Sequence, residues 1–259
     1  MPAVIYEKRE RIAYLTLNRP ESLNAFNREM HQQLREAWLD FRADDDVWVA
    51  VVTGAGDRAF SAGADVKELG ERQQERVRRS FWETWFGQDL QSGLEVWKPT
   101  IAAVNGYCLG EGLTLILSCD FRLASERATF GFPEVNLGIP TIVGAVRAPR
   151  VVGLGNALEL LLIGDRVDAS RAYQMGLLNR VVPHEALASE AEALAQRLCR
   201  NGPLAVRCTK EVAYRSLNLP FADAVRMGEG LRRLALQSED AREGPRAFRE
   251  KRDPQFRGQ

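Results

Sequence analysis

Histidine is scarce in this chain, which has only two among 259 residues, His31 and His184. A histidine-based metal site or a Ser-His-Asp triad needs histidine together with other reactive side chains, so there is little material for either. The cysteines are also few, and none forms a Cys-x-x-Cys pair or has a histidine nearby. This pattern favours free, buried or half-buried thiols in a reducing cytoplasm. The cysteines are Cys108, Cys119, Cys199 and Cys208.

An excess of either charge is absent as well, because 35 basic residues balance 35 acidic ones. Binding to nucleic acid or to an anionic membrane generally needs a basic surface, and the composition gives no sign of one. No apolar run approaches the roughly 20 residues that a membrane-spanning helix needs. The first 17 residues do not combine a basic start with an apolar segment, so no signal peptide is evident. We therefore expect a cytoplasmic protein with no nucleic-acid or membrane partner.

What the sequence does contain is an alternation of short strands and helices. Two period-2 segments at its start predict a β-hairpin, and Asn27 followed by apolar residues at helical spacing predicts a capped helix. Strand, strand and helix signals then repeat with small-residue turns between them, which indicates an α/β fold. One predicted helix runs from Val66 to about Trp97. Residues 1–185 are predicted to form the core, and residues 186–259 a region of four amphipathic helices.

Two turns rich in small residues are the most informative feature of the chain. One lies in segment 59–67, and the other lies about forty residues later in segment 99–112. Each comes after a plausible buried strand, at 49–52 and at 101–104 respectively. Backbone N–H groups exposed at two strand ends can form a pocket for a developing oxyanion. The pair of turns therefore predicts chemistry on a carbonyl group.

Carboxylates close to such turns are candidate acids and bases. Glu134 is flanked by apolar and small residues, and a carboxyl group in apolar surroundings has a raised pKa that suits proton transfer near neutral pH. The alternative is a surface glutamate that caps the turn after Pro133. The Glu111 side chain has three possible positions: in solvent, against a neighbouring segment, or inside the pocket. Asp65 fits the role of a helix cap.

These residues belong to a longer, ordered set of motifs. The chain resembles the crotonase superfamily, the enoyl-CoA hydratase/isomerase family, in segments that follow the family's order from one end to the other. A single Phe-Ser-Ala-Gly-Ala-Asp motif is modest evidence, whereas the ordered set is specific. The segments are 59–67, 98–112, 119–120, 130–138, 164–169, 172–181 and 243–252.

The resemblance implies a spiral of strand-strand-helix turns, with C-terminal helices that build trimers, often paired into hexamers. It implies an acyl-CoA thioester substrate whose carbonyl oxygen is held by the backbone N–H groups of Ala64 and Glu111. It implies no metal and no redox cofactor, since N–H dipoles stabilise the enolate. Lys67, and Lys251 of this or an adjacent subunit, would meet the CoA phosphates. The implied CoA and substrate contacts are Ala62, Ala64, Asp65, Val66, Lys67, Gly110 and Lys251.

One departure from the family pattern bears on the reaction. Family hydratases usually carry two glutamates. The second matches Glu134, but the first matches Thr114, whose hydroxyl does not act as an acid or base at neutral pH. Thr114 can still position a water molecule or a substrate group. Glu111 lies about one helical turn earlier and supplies a second carboxylate only if its side chain turns inward.

The sequence therefore predicts an acyl-CoA enzyme of the hydratase/isomerase type that uses Glu134 for proton transfer, with Glu111 and Thr114 as further catalytic candidates. Alternatives are a hydratase-lyase, a thioester hydrolase, a decarboxylase, or a non-catalytic CoA-binding relative. A dinucleotide oxidoreductase is disfavoured, because the Gly-x-Gly sequence at 153–155 lacks the rest of the fingerprint. The aromatic residues of the helix predicted from Val66 are assigned to core packing, with an acyl-pocket lining as the alternative. They are Phe81, Trp82, Trp85 and Phe86.

Overall fold

The computed structural model describes residues 1–68 and 88–259. In chain order, its strands are β1 (Val4–Arg9), β2 (Ile12–Leu17), β3 (Val49–Gly54), β4 (Ala59–Ser61), β5 (Thr100–Val104), β6 (Tyr107–Leu109), β7 (Phe121–Ser125), β8 (Thr129–Gly131), β9 (Val167–Asp168) and β10 (Arg180–Val182). They form a six-stranded sheet of order β1-β2-β3-β5-β7-β10 and a four-stranded sheet of order β4-β6-β8-β9. The predicted hairpin is confirmed, since β1 and β2 pair in antiparallel fashion.

Consecutive pairs of strands repeat with the same geometry. The pairs β3 and β4, β5 and β6, and β7 and β8 each place the first strand in the larger sheet and the second in the smaller sheet. Within each sheet these strands are parallel neighbours. The chain therefore winds as a spiral in which each turn adds one strand to both sheets. This confirms the α/β spiral predicted from the sequence.

Helices connect these strands and form the C-terminal region. They are α1 (Arg28–Ala43), α2 (Glu111–Ile116), α3 (Val143–Leu158), α4 (Ala169–Gln174), α5 (Leu187–Cys199), α6 (Pro203–Ser216), α7 (Phe221–Ala235) and α8 (Glu239–Glu250). Short helical turns lie at Pro20–Ser22, Pro133–Leu137, Glu159–Ile163 and His184–Ala186. The predicted cap at Asn27 is confirmed, because its side chain accepts a hydrogen bond from the backbone N–H of Met30. Gly153 has a φ of 76° and kinks α3, so the Gly153 to Gly155 segment lies between two helical stretches rather than between a strand and a helix, unlike a dinucleotide fingerprint.

The main hydrophobic core is built on one face of α1. Met30, Leu34 and Trp38 recur every four residues on this helix, and all three are fully buried. On the opposite side of the larger sheet, α5 packs Leu187 and its neighbours against the strands. Every residue of β5 is buried as a result, which is typical of a parallel strand covered on both faces.

The C-terminal helices are joined to this core through a polar contact at the start of β7. The Asp120 carboxylate accepts hydrogen bonds from the Thr100 backbone N–H at 2.7 Å, the Lys210 ammonium at 2.6 Å and the Tyr214 hydroxyl at 3.0 Å. Both residues from α6 therefore bind the same carboxylate, which sets the position of that helix. Asp120 thus has a structural role, while the boundary between residues 185 and 186 stays a prediction.

The helix predicted from Val66 to about Trp97 is wrong over its last third. The backbone is helical at residues 66–68, but residues 88–97 form turns and an irregular segment. The Asp89 carboxylate accepts the Ser92 N–H at 2.8 Å, and Gly93 has a φ of 106°, so a turn replaces the helix. The four aromatic residues at 81–86 lie outside the described residues.

The short helix after β6 also differs from its prediction. The sequence predicts a helix at 113–118, whereas α2 begins at Glu111 and ends at Ile116. Glycine weakens a helix, but at position 112 a larger residue would clash, because a Cβ there would lie 2.8 Å from the Ser61 Cβ. The close approach to β4 requires glycine, so Gly112 marks a contact between elements rather than a break in the helix.

Candidate active site

Three neighbouring parallel strands of the smaller sheet end at the same edge. These strands are β4, β6 and β8, and each leads directly into a segment with predicted site residues. The three segments are 62–64, 110–111 and 133–134. The Gly110 N–H donates to the Gly131 carbonyl at 2.9 Å, which ties the second segment to the end of β8. The fold thus brings Ala64, Glu111 and Glu134 to one place, although they are far apart in sequence.

The first two turns touch each other through Gly63. This residue has a φ of 96°, and a Cβ on it would lie 3.1 Å from the Leu109 carbonyl oxygen and 3.5 Å from the Glu111 nitrogen. Its own N–H donates to the Ser61 hydroxyl at 3.1 Å. A larger residue would therefore push the turns apart. The glycine keeps the backbone amides of Ala64 and Glu111 on adjacent turns.

The peptide of Ala64 is fixed by hydrogen bonds on both sides. The Phe26 N–H donates to the Gly63 carbonyl at 2.8 Å, and the Asp65 N–H donates to the Phe26 carbonyl at 2.9 Å. Together these bonds form a parallel β-bridge between Phe26 and Ala64. The segment before α1 therefore holds the first turn in place.

Asp65 reinforces this arrangement through its side chain. It accepts from Arg19 at 2.9 Å and from the Lys67 N–H at 3.1 Å, and Arg19 also donates to the Ala25 carbonyl at 2.6 Å. Burial acts to raise the pKa of Asp65, but Arg19 and the Lys67 N–H outweigh it and lower that pKa. Asp65 thus begins a helical turn, as expected, and also joins two loops. Its carboxylate is engaged by Arg19, a partner that the sequence did not reveal.

The carboxyl group of Glu134 lies directly over Gly110. Its Oε1 is 3.0 Å from the position of a Cβ on Gly110, whose φ is 51°. Its Oε2 is buried and has no hydrogen-bond partner among the described residues. The backbone conformation at 110 thus favours glycine, a Cβ there would displace the Glu134 carboxyl group, and one carboxyl oxygen of Glu134 remains available for chemistry.

Burial raises the pKa of Glu134, which is the effect predicted from its apolar surroundings. Its own backbone N–H and the Thr141 hydroxyl lower that pKa in part, while the charge of Glu111 raises it further. The Thr141 hydroxyl lies near the carboxyl group, but the two side chains do not form a hydrogen bond of good geometry, so burial prevails. A glutamate with a raised pKa exchanges protons readily near neutral pH.

Glu111 is the first residue of α2, and its side chain extends toward α1. One carboxyl oxygen lies 3.3 Å from Nε2 of His31, and about a quarter of each side chain is exposed. Of the three positions considered for the Glu111 side chain, the contact with His31 corresponds to the one against a neighbouring segment. Sequence reasoning missed His31, because its proximity to Glu111 arises only when Phe26 bridges to Ala64.

Thr114 lies on the buried side of α2, one turn after Gly110. Its hydroxyl donates to the Gly110 carbonyl at 3.2 Å, a bond that threonine commonly makes inside helices. The hydroxyl proton is engaged by the helix itself, so Thr114 does not replace a carboxylate at this position.

The remaining predicted contacts fall in two places. Ala62, Val66 and Lys67 flank the first turn, and Val66 is 69% exposed despite being apolar. Lys251 lies elsewhere, at the end of α8, where it is exposed and has a φ of 54°. Among residues 1–68 and 88–259, no cluster of histidine, cysteine, aspartate and glutamate is arranged to hold a metal ion.

Comparison with known proteins identifies the family. The family model described as enoyl-CoA hydratase/isomerase matches residues 7–259. The chain belongs to the enoyl-CoA hydratase/isomerase family. It is accordingly an enzyme of the crotonase superfamily, as its motifs indicated.

Similar proteins cover the whole chain. The (E)-benzylidenesuccinyl-CoA hydratase of Thauera aromatica is 36% identical over 259 residues, with 100% of both chains covered. The crotonyl-CoA hydratase of Syntrophomonas wolfei is 38% identical over 255 residues, covering 98% of this chain and 97% of that protein. A solved enoyl-CoA hydratase/isomerase from Mycobacterium paratuberculosis has a TM-score of 0.91 and 40% identity, with 99% of each chain covered. These similarities confirm the crotonase fold along the length of the chain. Separately, none of the described helices is both long enough and apolar enough to span a bilayer.

Proposed function

We propose that this family member acts on enoyl-CoA thioesters through an enolate. The N–H groups of Ala64 and Glu111 donate to the thioester oxygen, and Glu134 transfers a proton at the α-carbon or a neighbouring carbon. One observation carries the proposal: the Glu134 carboxyl group lies over Gly110, with Oε1 3.0 Å from its Cβ position, beside the turn that bears the Glu111 amide. Acid and oxyanion donors are thus within reach of a single acyl group.

The chemistry follows from the charge that develops on the thioester. When a proton leaves the α-carbon, the C–H electron pair moves into the C–C bond and charge accumulates on the carbonyl oxygen. Two preorganised N–H dipoles stabilise that charge more effectively than water does, because they need no reorientation. Glu134 receives the proton and can return it. The enolate needs no metal or redox cofactor, so the proposed reaction uses only the coenzyme A that the substrate carries.

The segment Ala62–Lys67, which is half-buried at its start and exposed at Val66 and Lys67, is the proposed path of the coenzyme A moiety. Ala62, Ala64, Asp65 and Val66 would line the pantetheine, together with Gly110 at the thioester end. Lys67 is exposed and suited to a phosphate, and Lys251 would serve the same purpose from the C-terminal helix of this or a neighbouring subunit. The similar hydratases named above act on CoA thioesters, which supports this substrate class.

The proposed assembly is a trimer or a pair of trimers in the cytoplasm. Large apolar side chains remain exposed on α3 and on the helical turn after it, and such residues often mark subunit interfaces. They are Leu154, Leu158, Leu162 and Ile163. Light scattering should therefore give three or six times the mass of the 29.0 kDa chain, whereas a monomer at micromolar concentration would contradict this assembly.

Double-bond isomerisation is the second candidate reaction. Thr114 provides no carboxylate, and its hydroxyl is bonded to the Gly110 carbonyl. Moving a double bond needs one base that returns the proton it has taken, and Glu134 alone suffices for that. Incubation with 3-enoyl-CoA and 2-enoyl-CoA substrates distinguishes isomerisation from hydration.

The Glu134→Gln variant tests the proposal. It should lose about 100-fold or more of its turnover of crotonyl-CoA, and of the exchange of the α-protons of butyryl-CoA with heavy water. Affinity for butyryl-CoA should change little, because the amide occupies the same volume. Glu126→Gln is the matched control, since Glu126 is exposed in the turn between β7 and β8. Near-full activity in Glu134→Gln would refute the assignment.

A further inference from the structure

The His31 side chain faces the turn that bears Glu111. It lies in the first part of α1, and its ring centroid is 5.4 Å from that of Phe26, the residue that bridges to Ala64. Its Nε2 is buried, makes no hydrogen bond within the described part of the chain, and lies 3.3 Å from a carboxyl oxygen of Glu111. A buried polar nitrogen is thus directed at a carboxylate of the active site.

In the pair of His31 and Glu111, the histidine is anchored by contacts of its own. The backbone of His31 is anchored in α1, because its N–H donates to the Asn27 carbonyl at 3.1 Å, and its ring rests against Phe26. Glu111 has a long side chain with three rotatable bonds on a short helix of six residues. The anchored imidazole is therefore placed to orient the Glu111 carboxylate that it faces. Since both side chains are about a quarter exposed, the pair contributes orientation more than stability.

The carboxylate held by His31 is close enough to Glu134 to act on it. The charge of Glu111 raises the pKa of Glu134, and both residues follow adjacent strands whose ends are joined by the bond from Gly110 to Gly131. The active site thus contains two carboxyl groups, although Thr114 supplies none. The second comes from an earlier position on the same helix.

Addition of water to a double bond moves two protons. One leaves the water oxygen as that oxygen bonds to the β-carbon, and another arrives at the α-carbon. A single carboxyl group cannot hold both protons in the required places at once, whereas two carboxyl groups in opposite protonation states can.

We propose that His31 is a positioning residue that holds the Glu111 carboxylate in the site as the proton acceptor for hydration. This inference rests on the proposed function above. The Glu111 carboxylate takes a proton from water while the C–O bond forms at the β-carbon. The π electrons pass to the α-carbon and thioester oxygen, and protonated Glu134 delivers its proton to the α-carbon. The sum is enoyl-CoA plus water giving 3-hydroxyacyl-CoA, and the two carboxyl groups regain their protonation states by exchange with solvent.

Two assays on the full-length enzyme separate the roles. Hydration of crotonyl-CoA and cinnamoyl-CoA requires both carboxyl groups, whereas exchange of the α-protons of butyryl-CoA requires only Glu134. Glu111→Gln should therefore lose about 100-fold or more of its kcat for hydration and keep most of its α-proton exchange. Its backbone N–H is retained, so binding of the thioester should persist.

His31 variants test the positioning role itself. His31→Phe should lower the kcat for hydration by about 10-fold or more with little change in KM, and His31→Gln, which keeps a donor, should recover much of that loss. The variant with both His31→Phe and Glu111→Gln should be no slower than Glu111→Gln alone, because both changes remove one function. His184→Gln is the matched control, since that ring meets the Ser125 hydroxyl at 3.0 Å instead.

The outcomes distinguish this inference from the proposed function. Full hydration by Glu111→Gln, together with loss of hydration in Glu134→Gln, would overturn the inference and leave the proposed function intact. A parent enzyme that exchanges α-protons but hydrates neither substrate would also overturn it. A His31→Phe variant that melts earlier yet keeps the parent kcat would reduce His31 to a structural residue. Retention of both activities in Glu134→Gln would refute the proposed function itself.

Discussion

The carboxyl group of Glu134 packs against Gly110 so closely that a side chain on residue 110 would displace it. Glu134 Oε1 lies 3.0 Å from the position that a Cβ on residue 110 would occupy. The contact joins the end of β8 to the start of α2, and it places the carboxyl group proposed for proton transfer beside the turn that bears the Glu111 N–H.

Gly110→Ala should damage both stability and activity. Its φ of 51° is unfavourable for alanine, and the new methyl group would push the Glu134 carboxyl group away. We expect a loss of about 1–3 kcal/mol in the free energy of unfolding, measured by urea denaturation, and a large fall in turnover of crotonyl-CoA. Gly230→Ala is the control, because Gly230 lies in α7 with open space around it, and alanine there should be neutral or slightly stabilising. Equal effects at the two glycines would contradict the steric argument.

Glu134 should make the fold less stable as the pH rises. Its pKa is higher in the folded protein than in the unfolded chain, so the folded state prefers the protonated form. This contribution to stability is fully present below the unfolded pKa of about 4.3 and is lost as the pH rises through the raised value. Relative to the parent, Glu134→Gln should therefore gain melting temperature as the pH rises above the unfolded pKa of about 4.3.

The control for this measurement is Glu126→Gln, which removes one charge from an exposed position. A difference in melting temperature between Glu134→Gln and the parent that does not grow with pH would contradict the raised pKa. An increase would also show that the active-site carboxyl group is maintained at the expense of stability, which is common for catalytic groups.

Arg19 should affect catalysis without contacting the substrate. It donates to Asp65 and to the Ala25 carbonyl, and Asp65 in turn bonds to Phe26 beside the Ala64 peptide. Arg19→Met should lower kcat by about 10-fold, because a small displacement of the oxyanion donor is costly. Asp65→Asn should act in the same direction, and the double variant should fall well short of the sum of the single effects. Additive losses would mean that the two residues do not act on the turn together.

Glu243 should hold the C-terminal segment on α8. Its carboxylate accepts hydrogen bonds from Arg252 and from the Gln255 N–H at 3.0 Å, and it is also paired with Arg246. Hydrogen bonds from Arg252, then Gln255 and Arg246, hold the pKa of Glu243 far below its usual range. The stabilisation is thus present above the unfolded pKa of about 4.3 and is lost as the pH falls through the lowered value.

Glu243→Gln should accordingly lower the melting temperature at neutral pH, and the difference from the parent should shrink in acid. Glu239→Gln is the control, because its pair with Arg242 is about three-quarters exposed on both sides and should contribute little. A Glu243→Gln variant with the parent's melting temperature at pH 7 would show that the segment is held by other contacts.

Local sequence patterns predicted the parts of the fold that depend on local spacing. The period of Met30, Leu34 and Trp38 gave the buried face of α1, and the alternation at Val4 to Leu17 gave the hairpin. These features depend only on residues close together in the chain. The resemblance to known motifs added the spiral order of the strands, which periodicity alone does not specify.

Features that depend on contacts between distant elements were not predictable in this way. The start of α2 at Glu111 was missed because glycine normally disfavours helices, and only contact with Ser61 makes Gly112 suitable there. His31 carried no local sign of its role, since its contact with Glu111 joins residues 80 positions apart. The raised pKa of Glu134 was predicted from its apolar neighbours, but its contact with Gly110 became visible only from their packing.

The most direct test of the account is a crystal structure of the Glu134→Gln variant with bound crotonyl-CoA. The account predicts that the thioester oxygen lies about 3 Å from the backbone nitrogens of both Ala64 and Glu111, with the α-carbon facing residue 134. A thioester oxygen that meets neither nitrogen, in a complex with full occupancy, would contradict the central claim that two turns of the smaller sheet share one acyl oxygen.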